Sequence, residues 1–405
     1  MSLLYTILFE FINFILPLGK FFKSAKIKAF VEGRLDELTF NLPLKTGRRY
    51  WFHCASLGEF EQAKPIIESL KESENHCSII ITFFSPSGHL YSKDYQLADA
   101  IIYLPIDTEK NAKNLIQQIN PDAVFFVKYE LWFHVLNQLF KHQIPTYLVS
   151  AVFRKNQFLF TFFGKFIFNL LPKFKQIFLQ DNISYNLLKN KGLSNIQITG
   201  DTRYDRVIAR SKNLILNNTL ETFKNQKSLL ILGSSWPEEE QLIKTYLDNH
   251  PLFDFKIIIA PHDISNQHIQ DLIEQFKSFS PIQYSQLIND IPQTNLLILD
   301  TIGHLASAYY YADFAIIGGG FGRGLHNILE PLAFDVPVIF GPNTSKYPEA
   351  KMAIDAQVGF QISNYQTFEH QFNLLQKNKE KGKQKQFINI NAGASQKILM
   401  ALSHH

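Results

Sequence analysis

The segment ADFAIIGGGFGRGLHNILEPLAFDVPVIFGP, residues 312–342, joins two apolar runs through a glycine-rich stretch. The first run ends in Gly318, Gly319 and Gly320, and the second closes with a Gly-Pro pair. Glycines let backbone N–H groups approach an anion closely, and a helix N-terminus adds a partial positive charge. The segment therefore predicts a strand–helix–strand unit with a nucleotide-phosphate site; a tight crossover with a capped helix would show the same pattern.

The helix of this unit is expected to begin near His326, so that His326, Asn327 and Glu330 lie in its first turn. Residues four apart share one face of a helix, which places His326 beside Glu330. A glutamate in that position can accept hydrogen bonds from two ribose hydroxyl groups. The glycines, the Leu-His-Asn sequence and the Glu-Pro pair together favour the nucleotide site.

Apolar runs of the same kind recur along the chain. They occur at 50–55, 77–84, 123–129, 145–151, 176–180 and 196–199, and again at 228–233, 255–261, 296–300, 314–320 and 336–342. The runs are continuously apolar, as in strands covered on both faces, and the segments between them are long enough for helices. An α/β protein with parallel sheets is therefore predicted.

The length of 405 residues favours two domains, and the polar, strandless segment 206–227 marks their boundary. The expected organisation is an N-terminal helix over 1–28, a Rossmann-like domain over 29–207 and a second Rossmann-like domain over 208–405. Ligands of parallel sheets bind beyond the carboxyl ends of the strands. Two such domains facing each other would form a cleft lined by strand-end residues.

The 40 basic and 36 acidic residues give a net charge of only +4, which excludes a strongly basic nucleic-acid-binding domain. Cys54 and Cys77 both lie beside apolar runs. They indicate buried thiols in a reducing compartment rather than a disulfide framework. No Cys/His spacing in the sequence resembles a zinc site.

The first 30 residues are apolar and then basic. They lack the basic start and cleavage site of a secretory signal, and Glu10, Asn13 and Pro17 interrupt any spanning helix. With Thr6, these residues form a narrow polar stripe on a wide apolar helix. Four lysines follow: Lys20, Lys23, Lys26 and Lys28. We interpret the segment as an in-plane membrane anchor with its lysines on anionic headgroups; the alternative is a helix packed on the protein's own core.

Glu59 ends the motif HCASLGE (53–59), after a turn that follows a predicted strand. The helix dipole favours a glutamate at such a position without any chemistry. The same carboxylate would serve as a general base if burial beside Phe60 raised its pKa. Glu130, in KYELW (128–132), either holds an acceptor hydroxyl or pairs with Lys128 or with a helix terminus. The residues alone leave these alternatives open.

Taken together, the motifs resemble those of the Kdo (3-deoxy-D-manno-octulosonic acid) transferases, which act on the lipid A precursor. GGGFGRGLHNILEP…VPVIFGP is similar to the family's GGS…GGHN.LEP…PVL.GP, HCASLGE to HA.S.GE, and KYELW to E.ELW. Similar motifs are ITFFSPSGH (81–89), SAVFRKNQF (150–158), GDTRYDR (200–206), GSSWPEEE (233–240) and DTIGHLASAYYYAD (300–313). Their order and spacing hold over nearly the whole chain.

The resemblance implies a GT-B glycosyltransferase fold, CMP-Kdo as donor and the 6′-hydroxyl of the tetra-acylated lipid A precursor, lipid IVA, as acceptor. It also implies inversion at the transferred sugar, no cofactor and no catalytic metal. The expected location is the cytoplasmic face of the inner membrane, with no nucleic acid among the partners. An acceptor with four acyl chains would explain the apolar N-terminal segment.

The resemblance makes Glu59 the catalytic base. The acceptor-binding candidates are Ser56, Gly58, Glu130 and Arg154. The donor-binding candidates are Arg203, Ser234, Ser235, His262, Gly319, Gly320, His326, Asn327 and Glu330. Ser234 and Ser235 are expected either to bind phosphate or to cap the helix that follows them.

Three positions depart from the family pattern. His262 stands where the family has an arginine, so a permanent charge is lost. Trp236 replaces a histidine and can stack on a ring, and Arg203 replaces a lysine, which allows bidentate binding of a carboxylate or phosphate. Arg203 or Arg323 is expected to compensate partly for the missing charge.

Two other functions fit the sequence. One is a different GT-B enzyme, such as a nucleotide-sugar lipid transferase or an epimerase. An epimerase, however, has little need for an apolar and basic N-terminus. The other is a non-catalytic membrane scaffold, which would tolerate loss of the Glu59 carboxylate.

Overall fold

The computed structural model describes residues 1–21, 24–36, 42–45, 47–74, 76–287, 293–378 and 380–403, so Lys23 lies outside the described residues. The chain divides into two compact units. The first unit comprises Met1–Arg206 and Ala392–His405, and the second comprises Val207–Asn391.

Each unit contains a seven-stranded parallel sheet. The first sheet consists of β1 (Arg49–Cys54), β2 (Ser78–Phe83), β3 (Ala100–Tyr103), β4 (Ala123–Val127), β5 (Thr146–Ala151), β6 (Gln176–Leu179) and β7 (Ile196–Ile198), in the order β3-β2-β1-β4-β5-β6-β7. The second consists of β8 (Leu229–Ser235), β9 (Lys256–Pro261), β10 (Ile282–Gln283), β11 (Leu296–Ile298), β12 (Phe314–Ile317), β13 (Val338–Phe340) and β14 (Gly359–Gln361), in the order β10-β11-β9-β8-β12-β13-β14. The predicted α/β class with two Rossmann-like sheets is confirmed.

Helices connect the strands and cover the sheets. The first unit has α1 (Ser2–Ile15), α2 (Ala25–Asp36), α3 (Leu57–Ser73), α4 (Pro86–Ser92), α5 (Glu109–Ile119), α6 (Phe133–Lys141), α7 (Lys165–Phe168) and α8 (Asn182–Lys189). Helix α9 (Thr202–Lys212) contains the division between the units. The later helices are α10 (Asn218–Lys224), α11 (Pro237–Asn249), α12 (Asn266–Gln275), α13 (Leu305–Tyr311), α14 (Leu329–Ala333), α15 (Pro348–Asp355), α16 (Tyr365–Lys377), α17 (Lys383–Asn391) and α18 (Ala394–Ser403).

Continuous apolar runs form the central strands because both faces of each sheet are covered. In β1, Trp51 belongs to the core on one face, whereas Phe52 belongs to the core on the other. In β4, Phe126 and Phe125 divide in the same way, and the Phe52 and Phe125 rings stack with centroids 4.6 Å apart. Successive side chains of a strand point to opposite faces, so a strand buried on both sides has no polar alternation.

Three strands were not predicted from the sequence: β3, β10 and β14. All three are edge strands. An edge strand pairs on one side only, and edge strands are often kept short to avoid pairing with other chains. Two to four residues carry too little apolar pattern to be recognised in the sequence.

The C-terminal helix corrects the expected domain boundary, since α18 belongs to the first unit and not to a second domain extending to residue 405. The Ile398 side chain is fully buried in the core that contains Phe60 and Ile67 of α3. The Asp205 carboxylate accepts hydrogen bonds from the backbone N–H groups of Gly393 and Ser395. Helix α18 is therefore part of the structure that supports α3.

Helix α1 packs against the first unit through one face. The Tyr5 hydroxyl donates to Asp107 Oδ2 at 2.7 Å, and Thr6 Oγ1 lies 3.1 Å from His134 Nε2. Asn13 Oδ1 accepts a hydrogen bond from Asn111 Nδ2 at 3.1 Å. The predicted polar stripe is thus divided: Thr6 and Asn13 face the protein, whereas Glu10 is exposed.

The opposite face of α1 and the turn after it are apolar and exposed. The exposed side chains recur three and four residues apart: Leu4, Ile7, Leu8, Phe11, Phe14 and Leu18. The segment Ser2–Phe21 is 20 residues long with a mean hydropathy of 1.6, so it is apolar and long enough to cross a membrane by length and composition.

Candidate active site

Each sheet has a point where two neighbouring strands are separated by other strands in the sequence. In the first sheet, β1 lies beside β4 although β2 and β3 separate them in sequence, and in the second β8 lies beside β12. At such a point the connections leave in opposite directions and open a crevice at the carboxyl ends of the strands. Glu59 lies in the first turn of the helix after β1, and Glu130 lies in the loop after β4. Trp236 and Gly319 follow β8 and β12.

Glu59 is the third residue of α3, whose N-cap is Ser56. Its Oε2 accepts a hydrogen bond from the Ser56 backbone N–H at 3.1 Å. Only 5% of Glu59 is exposed. The helix-start role is therefore real, since this carboxylate satisfies a backbone donor that the helix leaves unpaired.

The environment nevertheless makes Glu59 easier to protonate than an ordinary carboxyl group. Burial raises the pKa of Glu59 to about 7, and the negative charge of Glu130 adds to the increase. The positive charge of Lys128 and the backbone N–H groups of Ala55 and Ser56 act in the opposite direction. Burial thus outweighs the helix terminus, and Glu59 is buried, titratable near neutrality and placed at a strand end, as a general base requires.

Glu130 lies beside a fixed imidazole. Trp132 Nε1–H donates to His53 Nε2 at 2.9 Å, so the proton of the neutral ring is on Nδ1 and points to Thr82 Oγ1 at 2.8 Å. Glu130 Oε2 is 3.9 Å from His53 Nε2, too far for a hydrogen bond. Lys128 precedes Glu130 in a left-handed conformation, with φ +64°, a strained geometry that is frequent at functional sites.

The remaining acceptor-side candidates differ in their surroundings. Gly58 is exposed in the first turn of α3, and a Cβ atom there would meet nothing within 4 Å. Arg154 is engaged elsewhere, since Nη2 lies 3.0 Å from Asp181 Oδ2 and Nη1 donates to Ser184 Oγ. Those bonds fasten the loop after β5 to the start of α8 and account for the arginine without a substrate.

In the second unit, the loop after β12 is held by a buried glutamate. Glu239 Oε1 accepts from the Gly319 N–H at 3.0 Å, and its Oε2 accepts from the Trp236 N–H at 3.0 Å. Burial raises the pKa of Glu239 to about 7. Gly319 has φ +85°, and a Cβ atom at Gly320 would overlap the backbone of Gly341. The glycines therefore serve the packing of the loop itself.

The expected helix start at His326 is wrong. Helix α14 begins at Leu329 and has five residues, so His326 and Glu330 do not share its first turn. The His326 N–H donates to the Gly318 carbonyl, and Asn327 Oδ1 accepts from the Leu329 N–H at 3.1 Å. Glycines 322 and 324 and this side-chain bond favour a longer loop than the apolar pattern indicated.

Glu330 and Arg203, both donor-side candidates, already have ionic partners. Glu330 Oε1 accepts from Arg210 Nη1 at 2.9 Å. Arg203 belongs to the first unit and contacts Asp201 Oδ2 through Nε at 2.8 Å and Nη2 at 2.7 Å. A ribose or phosphate would have to share these side chains with a carboxylate or an arginine.

Ser234 and Ser235 are the last two residues of β8 and lie in different environments. Ser234 has φ +52°, a left-handed conformation that turns the chain at the strand end. Ser235 is buried, and its Oγ donates to Glu240 Oε1 at 2.9 Å. The N-cap of α11 is Trp236 and neither serine, so the expected cap is displaced by one residue.

Three aromatic rings and an arginine form a cluster beside the glycine loop. The Trp236 and His262 rings stack with centroids 4.6 Å apart, and the His262 and His326 centroids are 4.7 Å apart. The Arg323 guanidinium carbon lies 5.2 Å from the Trp236 ring centroid. Arg323, rather than Arg203, is thus the arginine that accompanies His262 in the second unit.

Four residues of these sites were not among the candidates predicted from the sequence: His53, Lys128, Trp236 and Glu239. Each lies in a motif that was recognised. His53 begins HCASLGE and Glu239 lies in GSSWPEEE, but their partners, Trp132 and Gly319, come from distant segments. Trp236 departs from the family pattern, and this departure is the sequence signal that could have identified it as a site residue.

No metal centre emerges within the described ranges, where no group of three or more His, Cys, Asp and Glu residues is arranged to hold an ion. Cys54 and Cys77 are both buried free thiols, as predicted.

Comparison with known proteins identifies relatives over most of the chain. A family model described as 3-deoxy-D-manno-octulosonic-acid transferase (kdotransferase) matches residues 31–206. The 3-deoxy-D-manno-octulosonic acid transferase of Haemophilus influenzae is 29% identical over 331 residues, which cover 78% of this chain and 75% of the relative. That of Chlamydia trachomatis serovar D is 26% identical over 391 residues, covering 90% and 86%.

Among solved structures, the UDP-GlcNAc 2-epimerase from Neisseria meningitidis bound to UDP-GlcNAc has a TM-score of 0.65 at 16% identity, covering 88% of this chain and 100% of that chain. At this identity the likeness concerns the fold alone. Two parallel sheets of this kind and the matched relatives define a glycosyltransferase with the GT-B fold. Within that class, the relatives that this chain resembles are Kdo transferases, and the family model that matches residues 31–206 carries the same description.

Proposed function

We propose that the protein transfers Kdo from CMP-Kdo to the 6′-hydroxyl of lipid IVA with inversion at the anomeric carbon. The observation that carries the proposal is the buried Glu59 carboxylate, which has a pKa of about 7. It follows β1, at the point of the first sheet where β1 lies beside β4. A carboxyl group with this pKa is about half ionised at pH 7, and its ionised form is basic enough to accept a proton in the transition state.

The reaction is a single displacement. The acceptor oxygen attacks the anomeric carbon of Kdo, the bond from that carbon to the phosphate oxygen breaks, and CMP leaves with the bonding electrons. Glu59 takes the proton of the attacking hydroxyl. Burial raises the basicity of Glu59, and the opposite charges of Glu130 and Lys128 adjust it. Atoms and charge balance with the donor and the acceptor alone, and no oxidant or reductant is needed.

Donor binding is assigned to the second unit. Arg323 and His326 lie beside the glycine loop and can contact an anionic donor, with one permanent charge and one neutral hydrogen-bond donor. Because the Gly319 N–H is bonded to Glu239, these side chains rather than that amide are proposed to meet the phosphate.

We further propose that α1 lies in the plane of the inner membrane on its cytoplasmic face. Tyr5, Thr6 and Asn13 fasten one side of the helix to the first unit, which leaves its apolar side for lipid. A helix attached along its length in this way favours in-plane binding over crossing the bilayer. An acceptor that carries four acyl chains is then reached from the membrane surface.

Incubation of the full-length protein with CMP-Kdo and lipid IVA in detergent, followed by mass spectrometry of the lipid, tests the proposal. We expect the lipid to gain Kdo. Well-folded protein that adds no Kdo mass would overturn it. Thermal protection by CMP without protection by UDP is expected as well; protection by UDP alone would favour the alternative suggested by the fold, a UDP-sugar enzyme.

A further inference from the structure

The cluster of Trp236, His262, His326 and Arg323 has a consequence for the proton on His326. Trp236 Nε1–H and His326 Nε2 are 3.2 Å apart. An indole nitrogen can only donate a hydrogen bond, so His326 Nε2 must be the acceptor and carries no proton. In a neutral ring the proton is then on Nδ1.

Burial and the nearby His262 keep the ring neutral, since they lower the pKa of His326 to about 4. The position of the ring is also restricted. A Cβ atom on Gly319 would lie 3.3 Å from His326 Cδ2, which shows that this edge of the ring faces the glycine loop. Nδ1 is on the opposite edge, so its N–H points away from that glycine.

We propose that Trp236 is a positioning residue for donor binding, which fixes His326 in the tautomer whose Nδ1–H binds an anionic oxygen of the sugar nucleotide. This inference rests on the proposed function for the identity of the ligand. Trp236, which departs from the family pattern, thereby gains a role. Because position 262 is a histidine and not an arginine, the site relies on the correctly oriented neutral His326 and on Arg323.

Two substitutions of Trp236 separate a hydrogen-bonding role from a packing role. Trp236→Phe keeps an aromatic ring to stack on His262 but has no N–H, whereas Trp236→His keeps a ring N–H donor. We expect Trp236→Phe to raise the KM for CMP-Kdo about three- to tenfold, the value of one net hydrogen bond, with kcat nearly unchanged. Trp236→His should retain a KM close to that of the wild type.

The tautomer is measured directly by ¹⁵N NMR of full-length protein labelled at histidine, with His326 assigned from the signals lost in His326→Gln. The wild type should show a protonated Nδ1 and an unprotonated Nε2. Trp236→Phe should shift the ring toward the Nε2–H form, and Trp236→His should preserve the wild-type pattern.

The wild-type spectrum tests the proposal even if a variant fails to fold, because a protonated Nε2 at neutral pH would overturn it. Equal KM values for Trp236→Phe and the wild type, or the same increase in both Trp236 variants, would also overturn it. If instead the tautomer is as expected but CMP causes no shift and CMP-Kdo is not consumed, the proposed function fails while the role of Trp236 in fixing His326 stands.

Discussion

The backbone N–H of Ser56 donates to Glu59 Oε2 at 3.1 Å, so the candidate base is also the residue that completes the first turn of its own helix. The two roles oppose each other electrostatically, since a helix N-terminus stabilises the ionised carboxylate and burial destabilises it. Burial prevails, and the pKa of Glu59 rises to about 7. The hydrogen bond fixes the carboxylate in place while the surrounding core sets its basicity.

Replacement of Glu59 by glutamine separates these roles, because glutamine retains an oxygen to accept from Ser56 but cannot take a proton. We expect Glu59→Gln to lower kcat about 10²- to 10⁴-fold, the usual contribution of a general base, while CMP still protects the protein against unfolding. The wild-type kcat/KM should rise with pH to a plateau, with a midpoint near 7 if Glu59 must be ionised. Glu61→Gln, which removes a neighbouring carboxylate of the same helix, serves as the control and should retain activity.

The same variant should remove the contribution of Glu59 to the pH dependence of stability. The ordinary glutamate pKa of 4.5 rises to about 7 in the folded protein, so between these values the folded state keeps a proton that the unfolded state has lost. Ionisation of Glu59 therefore costs stability as the pH rises, and the full cost is present above about pH 7. At about 1.4 kcal/mol per pKa unit, Glu59→Gln should gain up to about 3 kcal/mol over the wild type between pH 4.5 and pH 8. Urea titrations at several pH values measure this, and a constant difference between the proteins would contradict it.

Lys128 and Glu130 should shift the activity profile in opposite directions. The charge of Glu130 raises the pKa of Glu59 and that of Lys128 lowers it. Glu130→Gln should therefore move the midpoint of the kcat/KM profile to lower pH, and Lys128→Met should move it to higher pH. These directions are independent of any loss in maximal rate. Shifts of the same sign in both variants would show that another group controls the profile.

Sequence patterns were sufficient for the central strands and for the position of Glu59 at the start of a helix after a strand, because runs buried on both faces and a turn at a strand end are local signals. They were insufficient where a particular side-chain contact decides, even when the partner is near in the sequence. Arg154 and Arg203 were assigned to substrates, but Asp181 and Asp201 engage them in the fold. The start of α14 was misplaced because Asn327 forms a side-chain bond that extends the loop.

Gly58 provides a test in which stability and activity should change in opposite directions. Nothing within 4 Å would contact a Cβ atom there, and glycine disfavours a helix by about 0.5–1 kcal/mol relative to alanine. Gly58→Ala should therefore stabilise the protein in urea unfolding. If the acceptor approaches this turn closely, the KM for lipid IVA should increase while the KM for CMP-Kdo does not. Stabilisation with unchanged kinetics would remove Gly58 from the acceptor site.

The exposed face of α1 should control membrane binding. Phe11 and Phe14 are 58% and 81% exposed, and each large apolar side chain transferred from water to lipid contributes about 1.5–3 kcal/mol. The double variant Phe11→Ser/Phe14→Ser should therefore lose flotation with anionic phospholipid vesicles, whereas Phe11→Leu/Phe14→Leu should retain it. Activity on detergent-dispersed lipid IVA should survive in both, since neither side chain holds α1 to the first unit. Undiminished flotation of the serine variant would show that the membrane contact lies elsewhere, and loss of detergent activity would show that this face binds the acceptor itself.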